Sequence, residues 1–184
     1  MFCIKLQRLV GVLALMIAAG FASFSIAQTS DAGYTPDLPS PVCDNINVPQ
    51  GHIVAFRTYA RGVQIYRWDG DIWQFVAPRA DLFGISKFRP IVVGIHHGGP
   101  IWESANGSKV LGFRVAGCTP DSTAIPWLLL KGASTETTGI FNGVTYIQRV
   151  NTVGGLAPTT PGKFVDQMVE VPYTTDYYFY RAKN

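Results

Sequence analysis

After position 50, apolar residues fall into short runs, most of them alternating with polar residues and broken by Gly, Pro, Asn or Asp. Alternation with a period of two sends successive side chains to opposite faces of a strand. The runs near 53–59, 62–68, 71–77, 90–96, 100–105, 108–116, 126–131, 144–150, 168–171 and 177–181 are therefore expected to be strands. No stretch sustains a 3.6-residue period, although Pro78–Phe83 and Lys163–Met168 are each long enough for one or two helical turns. The pattern predicts an all-β single domain, a β-sandwich or small β-barrel with short helical turns.

Two turns set local register. Asp69-Gly70 and Asn106-Gly107 each separate alternating runs, the arrangement of two-residue hairpins whose turn residues both take positive φ. The first turn then pairs Trp68 with Asp71, Tyr66 with Trp73 and Gln64 with Phe75. These six share one face, opposite Val63, Ile65, Arg67, Ile72, Gln74 and Val76. The second turn pairs Ser104 with Lys109, Glu103 with Val110 and Trp102 with Leu111, and alternation points Trp102 and Glu103 to opposite faces. Ile125–Leu130 has no polar interruption and reads as a strand covered on both sides.

The start of the chain follows another pattern. Lys5 and Arg8 precede the uncharged Leu9–Ala19, and Ser25-Ile26-Ala27 is a small-x-small cleavage site ahead of Gln28. Residues 1–27 read as a cleaved signal peptide, with an uncleaved anchor as the rival because the next charge is Asp31. The expected location is secreted or periplasmic, with no stable membrane insertion after cleavage. Residues 28–50, rich in Pro, Ser, Asp and Asn, form an extended arm ahead of a β domain at 51–184. Cleavage removes two cations and no acid, so the net charge falls from +3 to +1. With no run of Lys or Arg, nucleic acid is not an expected partner. Of the mature cysteines, Cys43 and Cys118, neither has a second Cys or His at ligand spacing. They predict one disulfide that staples the arm to the body, rather than a metal site.

Several segments now read together: Gly62-Val63-Gln64-Ile65-Tyr66-Arg67, Gly99-Pro100-Ile101-Trp102-Glu103, Gly107-Ser108-Lys109-Val110, the run from Ala124 to Leu130, the run from Val144 to Gly155, and the run from Val171 to Tyr180. In order and wording they resemble a family of small secreted bacterial and fungal proteins, the domain of unknown function numbered three-four-five-five. The resemblance spans most of residues 48–181 and implies export and a single domain, but no activity. Many members carry a cysteine where this chain has Trp68, so the resemblance implies no disulfide pairing here.

Three groups of residues are candidates for chemistry. Gln64, Tyr66, Trp68 and Trp73, with Phe75, would form an amphipathic aromatic face suited to stacking sugar rings or aromatic ligands; burial in the core competes with this role. His96 and His97 precede Gly98-Gly99-Pro100, and adjacent residues on a strand face apart, so the two cannot share a metal there. Glu103, beside Trp102, is either a general acid or a glutamate paired with Arg149 or Arg114. No H-E-x-x-H, G-x-S-x-G or dinucleotide fingerprint is present, and neither a cofactor nor a metal is expected. The Tyr173–Tyr180 stretch packs the closing strand or rims a pocket. The expected function is a binding or envelope-associated module for carbohydrate or a small aromatic-stacking molecule, through Gln64, Tyr66, Trp68, Trp73, His96 and Trp102. The alternatives are a secreted hydrolase using His96 and Glu103, and a purely structural envelope protein.

Overall fold

In the computed structural model, which describes residues 34–86, 89–134 and 138–183, eight antiparallel strands close into a barrel. They are β1 (His52–Trp68), β2 (Trp73–Ser86), β3 (Arg89–His97), β4 (Ile101–Ser104), β5 (Lys109–Cys118), β6 (Trp127–Ser134), β7 (Val144–Gly154) and β8 (Met168–Ala182). Each pairs with the next, and β8 returns to pair with β1. The fold is all-β as expected, and of the two architectures left open it is the barrel. The expected signal peptide, residues 1–27, and the first residues of the arm lie outside the described residues. No helix among the described residues is long and apolar enough to cross a membrane.

Ten expected runs become eight strands because two interruptions are not turns. Gly62 lies in mid-β1, opposite Ala80 and Tyr173, where β2 comes so close that a Cβ would stand 2.1 Å from the Arg79 carbonyl oxygen. Glycine is needed there for close approach, not for reversal. Likewise Pro172 is carried inside β8. The expected helical turns are absent. Pro78–Phe83 is the interior of β2, and Pro78 sits beside the bulge at Ile65/Tyr66, on a stretch that β3 does not reach, where a missing N–H breaks no ladder. Lys163–Gln167 forms a tight turn, closed by the Gln167 N–H on the Phe164 carbonyl. Among the described residues the single helical element is a 3-10 turn at Asp44–Ile46, in the arm.

Both hairpins differ in register from expectation. At the first, Trp68 pairs with Trp73 and Tyr66 with Phe75 across a four-residue loop. The Asp69 carboxylate accepts from the Asp71 and Ile72 N–H groups at 2.9 Å each, an Asx turn that holds two extra residues. Only Gly70 takes positive φ. The shift is two residues at Trp68 and Tyr66 and three at Gln64, beyond the bulge; Gln64, Tyr66 and Trp68 alternate along β1 and all three are buried. At the second, Glu103 pairs with Lys109 and Trp102 with Val110, because Ala105-Asn106-Gly107 is a three-residue loop with Gly107 at φ 86°.

The barrel interior is packed by Ala60, Leu82, Val110, Leu130, Ile147 and Phe179 among others. A second core lies outside the wall, where Val54, Trp127, Leu129, Val150, Tyr178 and Tyr180 meet Cys43 and Ile46 of the arm. A bulge between Val54 and Phe56 switches β1 from the outer core to the inner one. The Cys43–Cys118 disulfide fixes the arm across 75 residues of sequence, worth roughly 4 kcal/mol by the loop-closure argument. Gln148 points outward and donates to the Ile46 carbonyl at 2.8 Å, while the Tyr180 hydroxyl donates to its side-chain oxygen. Ile125–Leu130 is thus covered on both faces, by the interior on one side and the arm on the other.

Candidate functional site

The barrel wall is uneven. β3 and β4 form a short hairpin ending at His97 and Ile101, and β2 pairs with β3 only from Ala80 onward. β4 meets β5 only over Lys109–Leu111, while β5 continues to Cys118 against β6. Between residues 73–79 of β2 and 112–118 of β5 the wall is therefore notched, with the Gly98-Gly99-Pro100 turn as its sill. A cavity of about 560 Å³ opens there. Phe75, Val76 and Pro78 line one jamb, and Phe113 and Arg114 the other. Phe75 and Phe113, each 55 % exposed, flank the entrance.

Deeper in, the cavity is bounded by Gln64, His96, Trp102, Leu128, Leu130, Arg149 and Tyr177. Trp102 is 1 % exposed and lies flat on His96, with ring centroids 4.2 Å apart and planes 11° apart, and edge-on to Tyr177 at 5.2 Å. The pair can stack because His96 and Trp102 are cross-strand partners, and Gly112 leaves room for the indole: a Cβ there would stand 2.7 Å from Trp102 Cζ3. His96 Nδ1 lies 2.9 Å from the Ile101 carbonyl oxygen. A carbonyl only accepts, so Nδ1 carries the proton and Nε2 the lone pair. Burial, helped by the positive charge of Arg149, lowers the His96 pKa to about 3 and keeps the ring neutral. Burial also pushes up the Tyr177 hydroxyl.

Arg149 reaches inward from β7. Its Nε and Nη2 donate to the Pro126 carbonyl at 3.1 and 2.7 Å, and among the described residues no carboxylate pairs with it. Gln64, Trp102 and Tyr177 line the cavity; among the described residues the buried Gln64 Nε2 and Trp102 Nε1 have no hydrogen-bond partner, while the Tyr177 hydroxyl interacts with the side chains of Tyr173 and Arg149.

Of the residues singled out from sequence, Gln64, His96 and Trp102 meet at this cavity, with Phe75 at its entrance. Tyr66, Trp68 and Trp73 do not. The Tyr66 hydroxyl donates to the Gly155 carbonyl at 2.6 Å, Trp68 packs on Gly162, and Trp73 Nε1 donates to the Thr160 carbonyl at 2.9 Å. The β7–β8 connection thus covers the face expected to be an open platform. His96 and Glu103 do not converge: His96 is inside the wall, and Glu103 is outside, 3.4 Å from His97 Nε2 and 3.3 Å from Lys109 Nζ. The expected pairing of Glu103 with Arg149 or Arg114 is replaced by these two partners, because both arginines line the cavity on the other side of the wall. Among the described residues no cluster of His, Cys, Asp or Glu could hold a metal ion.

Arg149, expected only as a partner of Glu103, and Tyr177, expected only as part of the Tyr173–Tyr180 stretch that packs the closing strand or rims a pocket, are cavity residues not singled out as ligand contacts from sequence. The signal was present in parity: on β7, Ile147 faces the inner core and Gln148 and Val150 the outer side, which leaves Arg149 inward. An arginine on an apolar inward face is the anomaly that marks the site.

Comparison with curated proteins and with solved structures returns no match. The family model for a protein of unknown function, DUF3455, matches residues 49–181, the whole barrel but for the last residue of β8, and the chain belongs to that family.

Proposed function

We propose that this chain is a small-molecule binding protein, exported from the cytosol, whose ligand enters the barrel through the notch between β2 and β5. The observation that carries the reading is the 560 Å³ cavity itself. Its size is that of a site for a compact organic molecule, and its mix of apolar walls with a few converging polar groups is the usual make-up of such a site. Eight-stranded barrels are of a width that holds one small ligand. Export is supported by the signal-like residues 1–27 and by the Cys43–Cys118 bond, which suits an oxidising compartment.

A small ligand with an apolar body is favoured over a polysaccharide. Stacking an extended sugar chain needs a flat, open aromatic surface, and Tyr66, Trp68 and Trp73 are engaged under the β7–β8 connection. The test is calorimetric titration of the mature protein with N-phenyl-1-naphthylamine, a neutral apolar probe. One site per chain is expected, weakened roughly tenfold or more in Leu128→Trp, which fills the cavity. No binding to the wild-type protein, or binding that Leu128→Trp leaves unchanged, overturns the reading.

A further inference from the structure

The polar groups around the cavity are mostly donors, with His96 Nε2 the acceptor among them. Trp102 Nε1 is a donor only, the unpartnered atom of Gln64 is its amide nitrogen, and the Tyr177 hydroxyl can donate. All three residues are at least 97 % buried by area. Donors removed from water without acceptors carry a desolvation cost, which an acceptor group brought among them would offset. Arg149 adds a fixed positive charge whose influence reaches Tyr66, His96, Tyr173 and Tyr177. It donates to the neutral Pro126 carbonyl and interacts with the Tyr177 hydroxyl, and among the described residues no carboxylate balances its charge. Arg114 adds a second cation at the entrance, and no Asp or Glu lines any part of the cavity.

Such a set rejects cations and leaves neutral molecules underpaired. It matches an anion with a compact cluster of acceptors. One interior arginine balances a single charge, and the remaining walls, Leu128, Leu130, Pro78 and Phe75, suit a hydrocarbon or aromatic body. A carboxylate offers two oxygens and about four lone-pair directions, enough for Arg149 and the three buried donors together.

We infer that the ligand class is a small monocarboxylic acid, its carboxylate held by Arg149, Gln64, Trp102 and Tyr177 and its apolar body directed toward the Phe75–Phe113 entrance. The inference rests on the reading of the cavity as a binding site and adds the chemistry of the ligand.

A matched pair of probes tests it. Calorimetry with 2-naphthoate and with 2-naphthalenemethanol compares an acid and a neutral alcohol on the same ring system. The acid should bind at least roughly tenfold more tightly than the alcohol. Arg149→Gln should abolish that preference while the alcohol still binds, and Gln64→Leu should reduce acid binding several-fold. Gln64→Leu removes an unpartnered amide, so it keeps the test intact should Arg149→Gln lose its hold on Pro126 and fail to fold. If the alcohol binds as well as the acid, or if neither variant changes the preference, the carboxylate assignment is wrong and the cavity reading stands. If neither probe binds, both are wrong.

Discussion

His96 lies beneath Trp102 with its one proton committed to the Ile101 carbonyl, and burial holds its pKa at about 3 against an ordinary value of 6.5. Between those values the unfolded chain takes up a proton that the folded chain refuses. Stability therefore declines as pH falls below about 6.5, by up to about 1.4 kcal/mol per pH unit from this group. Chemical denaturation followed from pH 7 to pH 4 should show this slope, and His96→Phe should flatten it; equal slopes would mean that His96 is protonated in the fold. Glu103 is the contrasting case. Its contacts with His97 and Lys109 are at the surface, so Glu103→Gln should shift stability by less than about 1 kcal/mol. That His96 and His97, and Trp102 and Glu103, face apart was legible from alternation alone. Which member of each pair faces inward was not, because that depends on how the sheet closes. The same limit hid Arg149, whose neighbours Gln148 and Val150 are as fully buried as an inward residue would be, under an arm that periodicity does not place.

At the scale of elements, the sequence places both reversals correctly but not their turn type or length. Asp69-Gly70 and Asn106-Gly107 do reverse the chain, but Asp69 caps two further N–H groups and Gly107 closes a three-residue loop, so both registers move. Gly62 shows the opposite limit: a glycine between two alternating runs resembles a break, and only the approach of β2 reveals a continuous strand. Gly62→Ala would bring its methyl group within 2.4 Å of Ala80 Cα and 2.1 Å of the Arg79 oxygen. Neither atom can move without breaking the β1–β2 ladder, so a loss of at least roughly 1–3 kcal/mol is expected on thermal unfolding; an unchanged melting temperature would contradict the pairing. The arm behaves as an element too. Replacing Cys43 and Cys118 together by Ala should lower stability by roughly 2–5 kcal/mol and expose residues 34–50 to limited proteolysis. An arm that stays protease-resistant in this variant would show that Ile46 and Gln148 hold it without the bond.

For the whole molecule, the decisive feature is that closure is incomplete at one place. An eight-stranded barrel is just wide enough to be filled by its own side chains or to hold one small ligand. Here the short β3–β4 hairpin stops while β2 and β5 continue, and the interior is reached through the gap. Nothing in local sequence announces this. The four-residue length of β4 was nearly legible from the expected run at 100–105, but its consequence required knowing that β2 and β5 stand on either side of it. The four tryptophans provide the most direct test, because they occupy separate places: Trp102 at the cavity floor, Trp68 and Trp73 under the β7–β8 connection, and Trp127 under the arm. A titration with 2-naphthoate, followed through the four indole N–H signals by heteronuclear NMR, should move Trp102 strongly and leave the other three close to their free positions. Movement of Trp68 and Trp73 with Trp102 unchanged would place the ligand on the aromatic hairpin instead, and would contradict the account.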